Sequence, residues 1–117
     1  MKHSPLWFAG ILVGALASSI AFSAHAESIE EGEKLFNTTC VACHGQNGKG
    51  KLPGVPDFTK RDGRLAKTDD VLASHIMNGF KSPGSSMAMP AKGGMSSLNQ
   101  EQAEAIVNYM RQAFAGN

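Results

Sequence analysis

The sequence predicts an all-α domain of three to five helices joined by long loops, and three observations carry that expectation. Apolar residues recur at helical spacing in three separate stretches of the chain. The segments between them are rich in Gly, Pro, Ser and Lys, a composition that sustains neither helix nor strand. No stretch of useful length alternates apolar and polar residues with the period of two that a half-buried strand needs.

The first helix is expected from Glu27 to Thr39, with Glu27, Glu30, Glu31 and Glu33 near its positive end and Ile29, Leu35 and Phe36 along its apolar stripe. After His44 the run from Gly45 to Lys51, followed by Pro53 and Pro56, reads as loop. A second helix spans Thr68 to Asn78. Thr68 is placed to cap it, Asp69 and Asp70 fill its first turn, and Gly79 stops it. Residues 80–97 are loop again and carry Met87, Met89 and Met95. The last helix starts after Asn99, where Gln102 three residues on completes a capping-box pattern. Ala103, Ile106, Val107, Met110 and Phe114 give that helix its buried stripe.

The first 26 residues read as a leader rather than as part of the fold. Lys2 and His3 start it, Leu6 to Ala17 is almost unbroken apolar sequence, and Ala24-His25-Ala26 ends it in small residues. Those are the three parts of a secretory signal peptide. An uncleaved anchor is the competing reading, but Ser18, Ser19 and Ser23 interrupt the apolar run, which falls short of the ~20 residues a span requires. Cleavage after Ala26 leaves a domain of residues 27–117, exported to the periplasm and free of stable membrane insertion. In it ten Lys and Arg balance ten Asp and Glu, so it lacks the cationic excess that phosphate backbones demand and is not a nucleic-acid binder. A domain this small buries little surface and calls for a staple or a cofactor. Two cysteines make at most one disulfide.

Cys40-Val41-Ala42-Cys43-His44 answers that call. C-x-x-C-H is the attachment motif of c-type haem, and the chemistry explains the spacing. Offsets of three and four residues share one face of a helical turn. One turn therefore offers two thiols to the two vinyl groups of a porphyrin and an imidazole to its iron. A thioredoxin-like C-x-x-C would follow a strand, and no strand is expected here. Structural zinc needs four ligands, whereas His75 is the only further His or Cys in the domain. No serine–histidine or paired-carboxylate arrangement suggests an enzyme.

A low-spin haem also takes a sixth ligand, and a methionine there raises the reduction potential. Met89 is the first candidate, because Pro90 stiffens the chain after it and holds it extended. Met87 and Met95 follow, and His75 is the nitrogen alternative. The second ring nitrogen of His44 needs a partner to fix the ring, and a carbonyl of the loop stiffened by Pro56, or else Pro53, is the expected provider. Lys49, Lys51, Lys60, Arg61, Arg64, Lys67, Lys81 and Lys92 could form a docking rim, or an ordinary solvated surface.

With these residues in place, the chain resembles the class I c-type cytochromes, the small bacterial monohaem ones in particular. The likeness rests on Gly32-Glu33-Lys34-Leu35-Phe36 leading into the C-x-x-C-H turn, Pro56-Asp57-Phe58, Met89-Pro90-Ala91, and Leu98 through Tyr109-Met110-Arg111. It implies a cytochrome c fold around one covalently attached haem c, with His44 and Met89 as axial ligands. It implies that Gly32 and Phe36 cross the last helix near Tyr109. It also implies a monomeric electron carrier that meets its donor and acceptor proteins transiently and catalyses no reaction of its own.

Overall fold

Helix α1 runs Ile20–Leu35 in the computed structural model, which describes residues 20–115. Most of the expected leader lies outside the described residues. The helix begins earlier than Glu27 because Ala21, Ala24 and Ala26 continue it without a cap or breaker. The glutamates consequently lie along the body of α1 and not in its first turn.

At Leu35 the winding changes. Phe36–Cys40 forms a π-helical turn, and α2, Val41–His44, resumes the α-helix. The Thr38 hydroxyl donates back to the Lys34 carbonyl at 2.7 Å, a bond that competes with the helical ladder and loosens it. The wider turn brings Phe36 and Cys40 both into the core. Gly45 ends α2, and the loop beyond folds back beneath it. Gly50 N–H donates to the His44 carbonyl at 2.9 Å and Lys51 N–H to that of Cys43 at 2.8 Å, satisfying two of the carbonyls a helix end leaves open.

A short 3-10 turn, Arg64–Ala66, leads to α3, Asp69–Asn78. Thr68 occupies the N-cap position in extended conformation, but its hydroxyl makes no capping bond. Gly79, at φ 77°, stops the helix as expected. A second 3-10 segment, Ala91–Gly94, precedes α4, Gln100–Phe114. Here the capping box forms: Gln102 N–H donates to Asn99 Oδ1 at 2.9 Å, and Asn99 N–H donates to Gln102 Oε1 at 3.2 Å.

The helices pack through a core of Phe36, Phe58, Leu72, Ile76, Leu98, Ile106, Val107, Met110 and Phe114. α1 and α4 touch most closely at Gly32, where an added Cβ would lie 2.0 Å from the Ala105 carbonyl oxygen. Phe36 stands 5.5 Å from the Tyr109 ring and 5.4 Å from that of Phe114, so the crossing implied by the family resemblance is present. Arg111 ties α4 to the turn before α3, donating to the Leu65 and Lys67 carbonyls at 2.7 Å each and pairing with Asp69. Among the described residues no strand forms. The nearest thing is an isolated antiparallel bridge, Phe80 to Met89. The all-α architecture with long loops is the one the sequence predicts.

Candidate functional site

The π turn and α2 place the motif on one wall of a cavity. Cys40, buried as the last residue of the π turn, Cys43, half-buried in α2, and His44, buried at the end of α2, all line it. The 80–97 loop supplies Phe80, Ser82, Met87 and Met89 to the same lining. An adjoining cavity shares Cys40, His44, Arg64, Phe80 and Met89 and runs on toward Leu72, His75, Ile76 and Ile106. The sequence-named thiols, imidazole and first-choice thioether thus border one space.

Met89 is fixed from the backbone. Its N–H donates to the Phe80 carbonyl at 2.8 Å and its carbonyl accepts from Phe80 N–H at 3.1 Å. Pro90 follows in extended conformation at φ −68° and ψ 149°. The bridge is the extended geometry that the Met-Pro pair predicts. Met87, two residues earlier, also lines the cavity but is 40% exposed, and only the Ser85 hydroxyl holds its backbone. Met95 packs against the core and does not line either cavity. His75 borders the second cavity and stacks on Phe80 at 4.0 Å. Burial, with Lys67 and Arg64 nearby, lowers its pKa.

The electrostatics suit a neutral ligand set. Burial lowers the pKa of the His44 imidazole, which favours the neutral form that a metal ligand needs. Burial, assisted by Cys43, pushes the Cys40 thiol up to about 11. A thiol so protonated is a poor redox thiolate, which counts against thioredoxin-like exchange. No disulfide joins Cys40 and Cys43.

His44 differs from expectation at its second nitrogen. Nδ1 is buried with no hydrogen-bond partner. The ring stacks on Phe58 at 4.7 Å and 18° instead. The Pro56 carbonyl oxygen packs against Gly50, where a Cβ would meet it at 3.3 Å. A buried imidazole whose Nδ1 has no partner, two unbridged cysteines and a thioether lining the same cavity are a donor set that fits haem c. Among the described residues no cluster of three or more His, Cys, Asp and Glu could hold a bare metal ion. Sequence reasoning gave no role at this cavity to Phe80 and placed Arg64 only on the rim. Arg64 in fact lines both cavities, bonded to the Ser82 hydroxyl, with its guanidinium carbon 5.2 Å from the Phe80 ring centre. No sequence motif marks either role.

Comparison with known proteins gives the family. Residues 27–110 match the family model described as cytochrome c oxidase, cbb3-type, subunit III. The chain is 34% identical over 98 residues to cytochrome c6 of Porphyra purpurea, covering 80% of this chain and 76% of that one. It is 30% identical over 80 residues to cytochrome c-551 of Ectopseudomonas mendocina, covering 68% of this chain and 93% of that one. It also matches lupanine 17-hydroxylase [cytochrome c] of Pseudomonas sp, 34% identical over 80 residues, which is 67% of this chain but 10% of the length of that protein. In fold it is similar to cytochrome cL of Methylophaga aminisulfidivorans, with a TM-score of 0.57 at 23% identity over 86% of this chain and 69% of that one. The matched segment begins just after the expected leader and ends within α4, so it takes in the whole cavity. The chain belongs to this cytochrome c family: it is a class I c-type cytochrome whose prosthetic group is covalently attached haem c.

Proposed function

We propose that residues 27–117, released from the leader 1–26, form a soluble periplasmic electron carrier and not an enzyme. In it Cys40 and Cys43 hold haem c through thioethers, and His44 and Met89 are its axial ligands. The family membership supports electron transfer through haem c. The observation that supports the finer reading is that Cys40, Cys43, His44 and Met89 line one cavity. Bound haem supplies the chemistry, a single electron gained or lost at iron.

The polypeptide's contribution is to hold that group still. The thiols and His44 come from consecutive turns whose carbonyls are pinned by Gly50 and Lys51, so the attachment side cannot drift. Met89 is held between two backbone bonds to Phe80. Apolar walls exclude water, so little rearranges when the charge changes. Among the described residues no helix is long and apolar enough to cross a membrane.

Charge is unevenly spread. Residues 45–97 hold eight Lys and Arg against four Asp and Glu, while 27–44 and 98–117 hold two against six. The cationic excess lies on the loops around the cavity, and the acidic excess on α1 and α4. A transient acidic partner would be steered to the loop side. Electron transfer with such a partner is expected to slow about tenfold between low and high salt in stopped-flow measurements; a salt-independent rate removes the docking rim.

The test of the ligand set is spectroscopic. The ferric protein should show the weak red band of methionine-bound haem and bind carbon monoxide poorly when reduced. Met89→Ala should abolish that band. A band that survives assigns the sixth position to Met87 or Met95 and overturns Met89.

A further inference from the structure

Thr39 joins the two sides of the cavity. Its half-buried hydroxyl donates to the Gly93 carbonyl at 2.8 Å across 54 residues of sequence. Among the described residues this is the one hydrogen bond between 36–44, which carries both thiols and the imidazole, and 80–97, which carries Met89. Both Thr39 and Gly93 line the same cavity as Cys40 and Met89.

The loop is shaped to deliver that carbonyl. Lys92 and Gly93 adopt left-handed backbone, φ 57° and 60°, between two turn bonds, Gly93 N–H to the Pro90 carbonyl and Met95 N–H to that of Lys92. Left-handed geometry at a lysine is costly and persists where its surroundings enforce it. The Lys92 ammonium donates to the Ser96 carbonyl at 3.2 Å, which helps hold the turn. Contact with Thr39 is close: a Cβ at Gly93 would sit 2.9 Å from its hydroxyl oxygen. Met89 therefore lies between two clamps. Phe80 holds its own backbone, and Thr39 holds the turn that begins one residue later.

We infer that Thr39 is a positioning residue for the methionine ligand: its hydroxyl closes the Met89 loop onto the haem-attachment turn and limits how often the thioether leaves the iron. The inference rests on the His44 and Met89 reading proposed above. Thr39 touches neither the iron nor the sulfur; it acts through Gly93 and the turn. Opening the loop breaks its bond and leaves the Gly93 carbonyl to find water, so the bond biases the closed state.

The experiment uses the ferric holoprotein. Thr39→Val keeps the shape and loses the hydroxyl, Thr39→Ser keeps the hydroxyl, and Thr39→Ala replaces the valine variant should that fold poorly. Saturating imidazole displaces the methionine at a rate limited by loop opening, read from loss of the red band. Thr39→Val is expected to exchange about tenfold faster, the factor that corresponds to ~1.4 kcal/mol at 25 °C. Amide hydrogen exchange at Gly93 and Met95 should quicken with it. Thr39→Ser should stay near the wild-type rate, a rescue that a mere packing role would not give. Equal exchange rates and equal amide protection in Thr39→Val and wild type overturn the inference. Failure of the ligand reading is seen separately and first: a wild type without the red band, or Met89→Ala with it, overturns both.

Discussion

Replacing both Cys40 and Cys43 by alanine should give a chain of bare polypeptide mass, colourless after denaturation and extraction, even from a host that attaches haem to the wild type. The two sulfurs are offered from successive turns to one cavity, Cys40 closing the π turn and Cys43 in α2. In the proposed attachment each thiol would add across a vinyl group, its hydrogen going to one carbon and its sulfur to the other, so no oxidant would be consumed. The two cysteines are not joined in a disulfide, which leaves both sulfurs available for that addition. Either single variant keeps one bond and His44, and should retain colour with a weakened hold. On the proposed ligand set the double variant would keep only His44 and Met89 as contacts, and these would release haem on unfolding. Intact-protein mass spectrometry checks all three. A double variant that still carries haem at covalent mass would remove the attachment chemistry from these residues.

Stability should fall with the attachment. The cavity walls are largely apolar, with Phe36, Phe58, Phe80, Leu72, Ile76 and Ile106 among them. In a domain of this size such surface is a sizeable part of all that folding buries. The cofactor is thus part of the core, which is why the sequence looks underfilled when it is counted residue by residue.

What could be read from the sequence was local. C-x-x-C-H is legible because its two thiols and its imidazole lie within five residues, and the fold need only wind that segment helically. The start of α4 is legible because Asn99 and Gln102 cap each other within three residues. Met89 could be favoured over Met87 because a proline follows it, and the bridge to Phe80 gives that preference a structural form. What stayed hidden depends on distant partners or on winding. Nothing in Phe36-Asn37-Thr38-Thr39-Cys40 announces a π turn, since its cause is one hydroxyl choosing a carbonyl. The extension of α1 back to Ile20 lies in the segment read as leader, so the sequence signal at Glu27 did not show it. The stacking of His44 on Phe58, a contact between residues 14 apart in the chain, carries no local sequence signal. Thr39 reaching Gly93 lies further still beyond any local pattern. The α1–α4 crossing was reached through resemblance, and the structure supplies its physical reason.

That reason is Gly32, and Gly32→Ala should lower the melting temperature of the holoprotein by about 10–15 °C, on a scale of 4–8 °C per kcal/mol for domains of this size. Intrinsic propensity argues the other way, since alanine in a helix interior is better than glycine by ~1 kcal/mol. The contact decides it. A Cβ would stand 2.0 Å from the Ala105 oxygen and 2.6 Å from its carbonyl carbon, with Tyr109 Cβ at 3.0 Å. These are backbone atoms and the root of a side chain, so no rotamer change relieves the overlap and the helices must separate. Separation loosens Phe36 from Tyr109 and Phe114, and overpacking of that kind costs ~3 kcal/mol where the walls cannot yield. The net loss is about 2 kcal/mol. The haem turn follows directly from Phe36, so the same displacement reaches Cys40 and His44, and the red methionine band should weaken at temperatures well below the transition. Differential scanning calorimetry and the temperature dependence of that band measure the two effects. A melting temperature equal to or above wild type would mean that α1 and α4 do not meet at this glycine, and the packing that orients the attachment turn would have to be rebuilt from elsewhere.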